Sequence, residues 1–499
     1  MSTPDQQPRE VLVLVVGAGF AGIAMATALR QRGVHDFVVI ERGADVGGTW
    51  RDNTYPGAAC DVPSHLYSFS WALNPNWSRA FSPQPEIWQY MQDIARRQGV
   101  YEHCVFGAEL IDAKWDADAA RWRVATTQGD FVAQSLVSGA GALCEPANPD
   151  IAGLESFAGA TFHSSRWNHD IDLTGKRVAV VGTGASAIQF VPEIADKVAH
   201  LDVYQRTAPW IIPRNDRAFR KSERWVFRHV PGAQRLMRTG IYWGRELFVL
   251  GLAKNPKLTR PAARIGRWHL DRQVEEPALR AKLRPRYTIG CKRILISNDW
   301  YPALQKPNVA VVTDAIDSVE PDAVLTSDGL RHEADVIVFA TGFHVTDMPI
   351  AEHIRDDAGV SLAKHWETGA AAHRGTTVVG FPNLFFIVGP NTGLGHTSMI
   401  FMIEAQVNYI DKALQQMADN NLLAIEPQPA AQEKYNADVQ RKLSRSVWNT
   451  GGCASWYLDA HGRNTSIWPD FTFRFRRETA TFDLQEYRVA AWAGDGAGG

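Results

Sequence analysis

A chain of 499 residues exceeds what one hydrophobic core sustains, so two or three domains are expected, and an apolar content of 45% with 17 tryptophans fits a large packed globule. Net charge is only −2, so any strongly charged surface must be local, and no run of 18 uninterrupted apolar residues is present to form a helical membrane span. The polar 1–10 segment shows no apolar leader core, and Cys60, Cys104, Cys144, Cys291 and Cys453 are odd in number, scattered and without a CxxC; this argues against structural zinc and a disulfide framework and for a reducing, cytoplasmic setting.

In chain order, an apolar run at 11–16 leads into Gly17-Ala18-Gly19-Phe20-Ala21-Gly22. A second run, Phe37-Val38-Val39-Ile40, ends at Glu41, 24 positions after Gly17. Such glycines allow a tight strand-to-helix turn whose helix N-terminus faces a pyrophosphate, and a carboxylate at the end of the next strand accepts hydrogen bonds from ribose hydroxyls. Gly47-Gly48-Thr49-Trp50, Tyr55-Pro56-Gly57, Asp61 and Tyr67 follow; each aromatic taken alone would read as core packing. Pro146, Pro149 and Gly153 mark a linker. Beyond it lies a segment containing Phe157, Gly159, His163 and Trp167 in an FxGxxxHxxxW spacing.

The fingerprint then recurs. Gly182-Thr183-Gly184-Ala185-Ser186-Ala187 follows an apolar run at 178–181, and Arg206, with Thr207 after it, stands at the same offset of 24 from Gly182. An arginine in place of the glutamate suits a 2′-phosphate. Two fingerprints in register, opposite in charge, read as an FAD site followed by an NADPH site. The second unit is interrupted at 215–290 by a segment of helical periodicity holding 18 Lys/Arg against 6 Asp/Glu, interleaved with Trp225, Phe227, Trp243, Phe248 and Trp268. A solvated face attracting the polyanionic dinucleotide is the favoured role for it; association with an anionic membrane surface ranks second and nucleic-acid binding last. Strand-like runs return at 309–313, 336–340 and 384–388, a long helix is expected over 399–420, and the last ten residues, 490–499, are expected to fray.

The architecture predicted is α/β, with two Rossmann-like dinucleotide-binding domains: an FAD domain (1–145 and 344–499) split by an inserted NADP domain (154–214 and 291–343), which carries the helical insert 215–290. No HExxH or HxH cluster, and no GxSxG nucleophile elbow, offers metal or serine chemistry.

The FxGxxxHxxxW segment and the GGxWxxxxYPGxxxD pattern closing on Asp61 resemble the fingerprints of type I Baeyer–Villiger monooxygenases, and the resemblance runs from 11 to about 475. One departure is Asn168, where the family usually has Pro or Asp. The resemblance implies that Cys291-Lys292-Arg293 carries the active-site arginine, Arg293, oriented by Asp61; that Lys292 joins Arg206 on the NADP 2′-phosphate; and that Trp456 helps bind the nicotinamide ribose. Phe157, Gly159, His163 and Trp167 would couple nicotinamide binding to domain movement. The cofactor contacts expected are thus Gly17, Gly19, Gly22, Glu41, Gly48, Thr49, Trp50, Asp61 and Tyr67 for FAD. For NADPH they are Gly182, Gly184, Ser186, Arg206, Thr207, Lys292 and Trp456. The activity implied is NADPH- and O2-dependent conversion of a ketone to an ester or lactone through a flavin C4a-peroxide; a monomer is expected, since nothing in the sequence demands more. Two alternatives stand beside it: a flavin-containing monooxygenase acting on sulfides or amines, and a two-dinucleotide reductase or electron carrier serving a protein partner.

Overall fold

The computed structural model describes residues 7–453 and 457–491. Strand Arg9–Val16 is buried from Val13 onward and lies between Phe37–Glu41 and Gly129–Ser138, parallel to both. Burial on both faces explains why these strands read as continuous Val/Ile/Leu runs rather than alternations. The sheet around them has nine strands, and it draws from both ends of the chain: Phe381–Phe386 pairs with Gly129–Ser138 through Leu384↔Leu136. Helix Met399–Asp419 shares one apolar core with helix Phe20–Gln31, through Ile403, Val407 and Ile410 on one side and Ile23, Met25 and Leu29 on the other.

A second, five-stranded sheet is wholly parallel, in the order Val309–Val312, His200–Tyr204, Arg177–Val181, Val336–Phe339, Ala160–His163. In each sheet the strand that feeds a glycine turn lies between two strands that both follow it in the chain, so the chain leaves it to one side and later returns to the other. That is the switch point at which open α/β sheets form a crevice beyond their strand ends.

Between the strand pair Ile211–Ile212 and Leu295–Ile296 stand the helices Lys221–His229, Ala233–Glu246, Arg260–Gln273 and Pro277–Lys282. Pro231 and Gly232, the latter at φ +82°, separate the first two. The expectation of a frayed end is corrected at its first two residues. Ala490 and Ala491 close the strand Tyr487–Ala491, which pairs antiparallel with Leu422–Pro427, and the remainder lies outside the described residues.

Candidate functional site

At the first turn, close packing dictates glycine. Gly17 sits at φ +95°, and a Cβ on Gly22 would lie 1.8 Å from the Gly17 carbonyl oxygen. Glycine at 17 thus lets the chain turn, and glycine at 22 lets the helix Phe20–Gln31 start hard against that turn. Buried Glu41 ends the next strand beside it, accepting hydrogen bonds from Ala18 N (2.8 Å), Gly43 N (2.7 Å) and Arg51 Nη1 (2.8 Å). A carboxylate has about four lone-pair sites, so one remains for a ribose hydroxyl. Gly48 faces the same turn, since a Cβ there would lie 3.3 Å from Gly19 Cα; Thr49 opens the short helix Thr49–Asp52. Trp50 Nε1 donates to the Tyr67 hydroxyl at 2.9 Å. Gly17, Gly19, Gly22, Glu41, Gly48 and Thr49 thus meet at one turn, with the Trp50–Tyr67 pair next to Thr49.

The second turn repeats the logic. Gly182 sits at φ +111°, and a Cβ there would lie 2.5 Å from the Ala340 carbonyl oxygen; around Gly184 there is room. Ser186 precedes the helix Ala187–Ile194, and Thr183 Oγ1 donates to the Thr207 carbonyl at 3.4 Å. Arg206 stands exposed just past the strand His200–Tyr204. Burial, and then the charge of Arg206, lower the Lys292 pKa. Among the described residues neither Arg206 nor Lys292 makes an ion pair. Two facing cations without an anion of their own are a fit for the 2′-phosphate of NADP.

A third feature lies close to Tyr67 beside the first turn and to Tyr55 beside the second. Arg293 donates from Nε to Asp61 Oδ2 and from Nη2 to Asp61 Oδ1, both at 2.6 Å, across 232 residues of chain. Burial opposes ionisation of Asp61, but the Arg293 charge and hydrogen bonds, aided by Arg245, hold its carboxyl below the usual range. The Asp61 charge raises Arg293 against the effect of burial. The two side chains remain 25% and 33% exposed, so the pair is anchored yet reachable. Tyr457, whose hydroxyl burial pushes up to about 12, feels the charges of both.

Arg245 escaped sequence reading. Its Nη2 donates to the Asp61 carbonyl oxygen at 3.3 Å, and among the described residues it makes no ion pair, although the Asp61 charge acts on it. Its helix, Ala233–Glu246, turns Gln234, Arg238 and Arg245 to one side, and all three land on the 61–74 segment: Gln234 on the Asn74 carbonyl, Arg238 on those of Leu66 (2.9 Å) and Ser68 (2.8 Å). Buried Glu246 anchors the helix elsewhere, accepting from Thr472 N at 3.0 Å and Thr472 Oγ1 at 2.7 Å, with His396 Nε2 at 3.2 Å. The spacing 234, 238, 245 was the available signal, but it fits any amphipathic helix.

The domains are joined through the motif that closes on Asp61. Tyr55 donates to Gln189 Oε1 (3.0 Å), Gln189 Nε2 donates to the Ala59 carbonyl (3.0 Å), and a Cβ on Gly57 would lie 2.8 Å from the Gln189 carbonyl oxygen. Trp167 packs between Phe162 and Phe190, and Phe190 also meets Tyr55. Phe157 is buried in the core of the second domain, and a Cβ on Gly159 would lie 2.3 Å from the Asp335 carbonyl oxygen. His163 ends the edge strand Ala160–His163, its Nδ1 facing Ser165 Oγ at 2.8 Å; burial lowers its pKa to about 4, so it is neutral at pH 7. Asn168 Oδ1 accepts from Asp170 N at 3.0 Å, a turn bond that an aspartate would make equally well.

The reading of the cysteines is corrected. Cys291, next to Lys292 and Arg293, is disulfide-bonded to Cys453, 162 positions on, whereas Cys60, Cys104 and Cys144 are free. Separation in sequence concealed the pairing. The bond ties the segment bearing Arg293 to Cys453; Trp456 lies outside the described residues. Thiol titration of the unfolded protein, purified in air, should count three free thiols before reduction and five after; five before reduction would mean the pair is held as thiols. Among the described residues no group of three His, Cys, Asp or Glu could hold a metal ion.

A family model described as pyridine nucleotide-disulphide oxidoreductase matches residues 14–220, the span of both glycine turns. A Baeyer-Villiger monooxygenase of Streptomyces coelicolor is 50% identical over 494 residues, covering 98% of this chain and 94% of the relative. Another, from Pseudomonas aeruginosa, is 48% identical over 486 residues, covering 96% and 92%. Among solved structures, cyclohexanone monooxygenase from Rhodococcus sp. Phi1 bound to NADP+ superposes with a TM-score of 0.87 at 28% identity, over 97% of this chain and 100% of that one. OTEMO in complex with FAD and NADP gives 0.87 at 26%, with the same coverage.

Proposed function

The chain belongs to the Baeyer–Villiger monooxygenases, and we propose that Arg293, held by Asp61, is the group that carries its oxygen transfer. It is an FAD- and NADPH-dependent monooxygenase that turns a ketone into an ester or lactone: ketone, O2, NADPH and a proton give ester, NADP+ and water. The observation that carries the residue assignment is the bidentate Arg293–Asp61 pair, partly exposed and close both to Tyr67 beside the first turn and to Tyr55 beside the second.

Bound FAD, once reduced by NADPH, supplies the activated oxygen. The chain's own residues do the rest. Glu41 and the turn at Gly17 hold the first dinucleotide, and Arg206 with Lys292 holds the 2′-phosphate of the second. A guanidinium stays charged and keeps its protons at neutral pH. Arg293 can therefore stabilise the negative charge that develops on the ketone oxygen under attack without protonating the attacking oxygen. Asp61 fixes its direction through two parallel bonds. Arg245 adds a positive charge that Asp61 does not balance, so one carboxylate and two guanidinium groups leave the site net positive, as an oxyanion requires. One chain completes both turns and the ion pair, which supports a monomer as the working unit. Dependence on NADPH supports a cytosolic setting.

Two measurements test this. NADPH consumption should depend on oxygen and on ketone; ketone-independent consumption without oxygen would favour a reductase. Arg206→Ala should raise the apparent KM for NADPH at least tenfold, as loss of a charge-assisted contact to phosphate worth about 1.5–3 kcal/mol implies, and leave that for NADH within about twofold. An equal change for both coenzymes would mean that Arg206 does not read the 2′-phosphate.

A further inference from the structure

Of the 20 large apolar side chains that stand exposed among the described residues, 12 fall between 225 and 268, inside the basic insert. Soluble surfaces scatter such residues singly, so a concentration of this kind calls for a ligand. Helix Ala233–Glu246 shows how it is built. Gln234, Arg238 and Arg245 face the 61–74 segment, and the opposite side, a full helix face away, carries Leu236, Gly240 and Trp243, with Leu247 one turn on. Leu236 is 75%, Leu247 65% and Trp243 52% exposed. Nothing approaches Gly240 or Gly244 within 4 Å of where a Cβ would stand, so this face is open. The only acidic residue of the helix, Glu246, is buried against Thr472 and His396 and contributes no charge outside.

The face continues onto another element. The Trp243 and Phe473 rings lie 5.7 Å apart, and Phe473 opens the helix Thr472–Glu478, which exposes Arg474, Arg476 and Arg477. Arg235 adds a cation beside Leu236. Leucine and tryptophan tips among arginines, with no exposed acid on the helix, match the boundary of an anionic bilayer, where apolar side chains enter the headgroup region and cations meet lipid phosphates.

We propose that the outer face of helix Ala233–Glu246, with Phe473 and its arginines, seats the enzyme on an anionic lipid surface. Two other occupants suit this face less well. A second copy meeting this face across a two-fold axis would set arginines against arginines. A nucleic acid would leave Leu236 and Leu247, the two most protruding apolar side chains of the stretch, without apolar contact. Composition alone ranked membrane association below a merely solvated face; the outward direction of the leucines and tryptophans, which composition does not reveal, raises it.

The test is flotation of the purified holoenzyme with vesicles of phosphatidylcholine alone and of phosphatidylcholine with phosphatidylglycerol, at low salt. The enzyme should float with the anionic vesicles and not the neutral ones. It should be released at about 1 M salt, where the screening length falls to about 3 Å. The double variant Leu236→Glu, Leu247→Glu, made at solvent-facing positions, should keep its FAD content and its rate on a small water-soluble ketone, and float at least tenfold less; one unit charge near such a surface is worth roughly fivefold in partition. Absence of flotation at low salt would overturn the proposal, as would flotation unaltered in the variant. So would a concentration-dependent dimer in sedimentation that the variant abolishes, which would give the face to a second copy.

Discussion

Arg293→Ala will bind FAD and oxidise NADPH but make ester at least a hundredfold more slowly than the native enzyme. The chain's glycine turns, Glu41 and Arg206 lie on elements apart from the segment that bears Arg293, and the Cys291–Cys453 bond still holds the neighbouring Lys292, so cofactor binding and hydride transfer should survive. What is lost is a fixed guanidinium aimed at developing negative charge. Removal of one such preorganised donor costs about 3 kcal/mol, or on the order of a hundredfold in rate. The variant's NADPH consumption should end in hydrogen peroxide, measured with peroxidase, rather than in product. Arg293→Lys should recover little, since an ammonium cannot reproduce the two parallel bonds to Asp61. An ester yield unaltered in Arg293→Ala would remove this residue from the reaction.

Asp61→Asn has the next largest effect. The substitution keeps shape and removes charge, so Arg293 loses both ionic bonds while the loop stays tied to Arg238 and Gln234 through its carbonyls. A guanidinium displaced by an ångström can cost on the order of a hundredfold, so ester formation should fall between tenfold and a hundredfold while FAD content holds. The KM for NADPH should stay within about twofold, because the 2′-phosphate contacts are elsewhere. The pH dependence carries a sign. A carboxylate whose folded pKa is lowered contributes fully above its unfolded value of about 3.9 and loses that contribution only as pH falls through the lower folded value. Oxygen transfer should therefore show no Asp61 titration between pH 7 and pH 5, and a loss centred in that interval would contradict the assignment.

The two glycine turns were legible in sequence because each rests on local geometry that only glycine satisfies, at Gly17, Gly22 and Gly182, followed at fixed distance by a charge. The β-strands around them were legible because burial on both faces leaves an uninterrupted apolar run. Long-range partnerships were not. Nothing near Asp61 announces Arg293, 232 residues away, and that pairing could be anticipated only through family resemblance. Cys291 and Cys453 failed for the same reason, since a scattered odd set of cysteines gives no sign of which two will meet. Arg245 and the open face of its helix failed differently. The 3.6-residue period shows that a helix has two sides, but which side meets the protein is decided by the Asp61 loop and Thr472, both far away in the chain.

The most direct test of the account is mass spectrometry of products formed under 18O2 by the purified enzyme with NADPH, a mixed panel of cyclic, linear and aryl ketones, and one sulfide. The account predicts an ester or lactone heavier than its ketone by one labelled oxygen atom, abolished in Arg293→Ala. A labelled sulfoxide with no ester, or an ester yield that survives loss of Arg293, would contradict it.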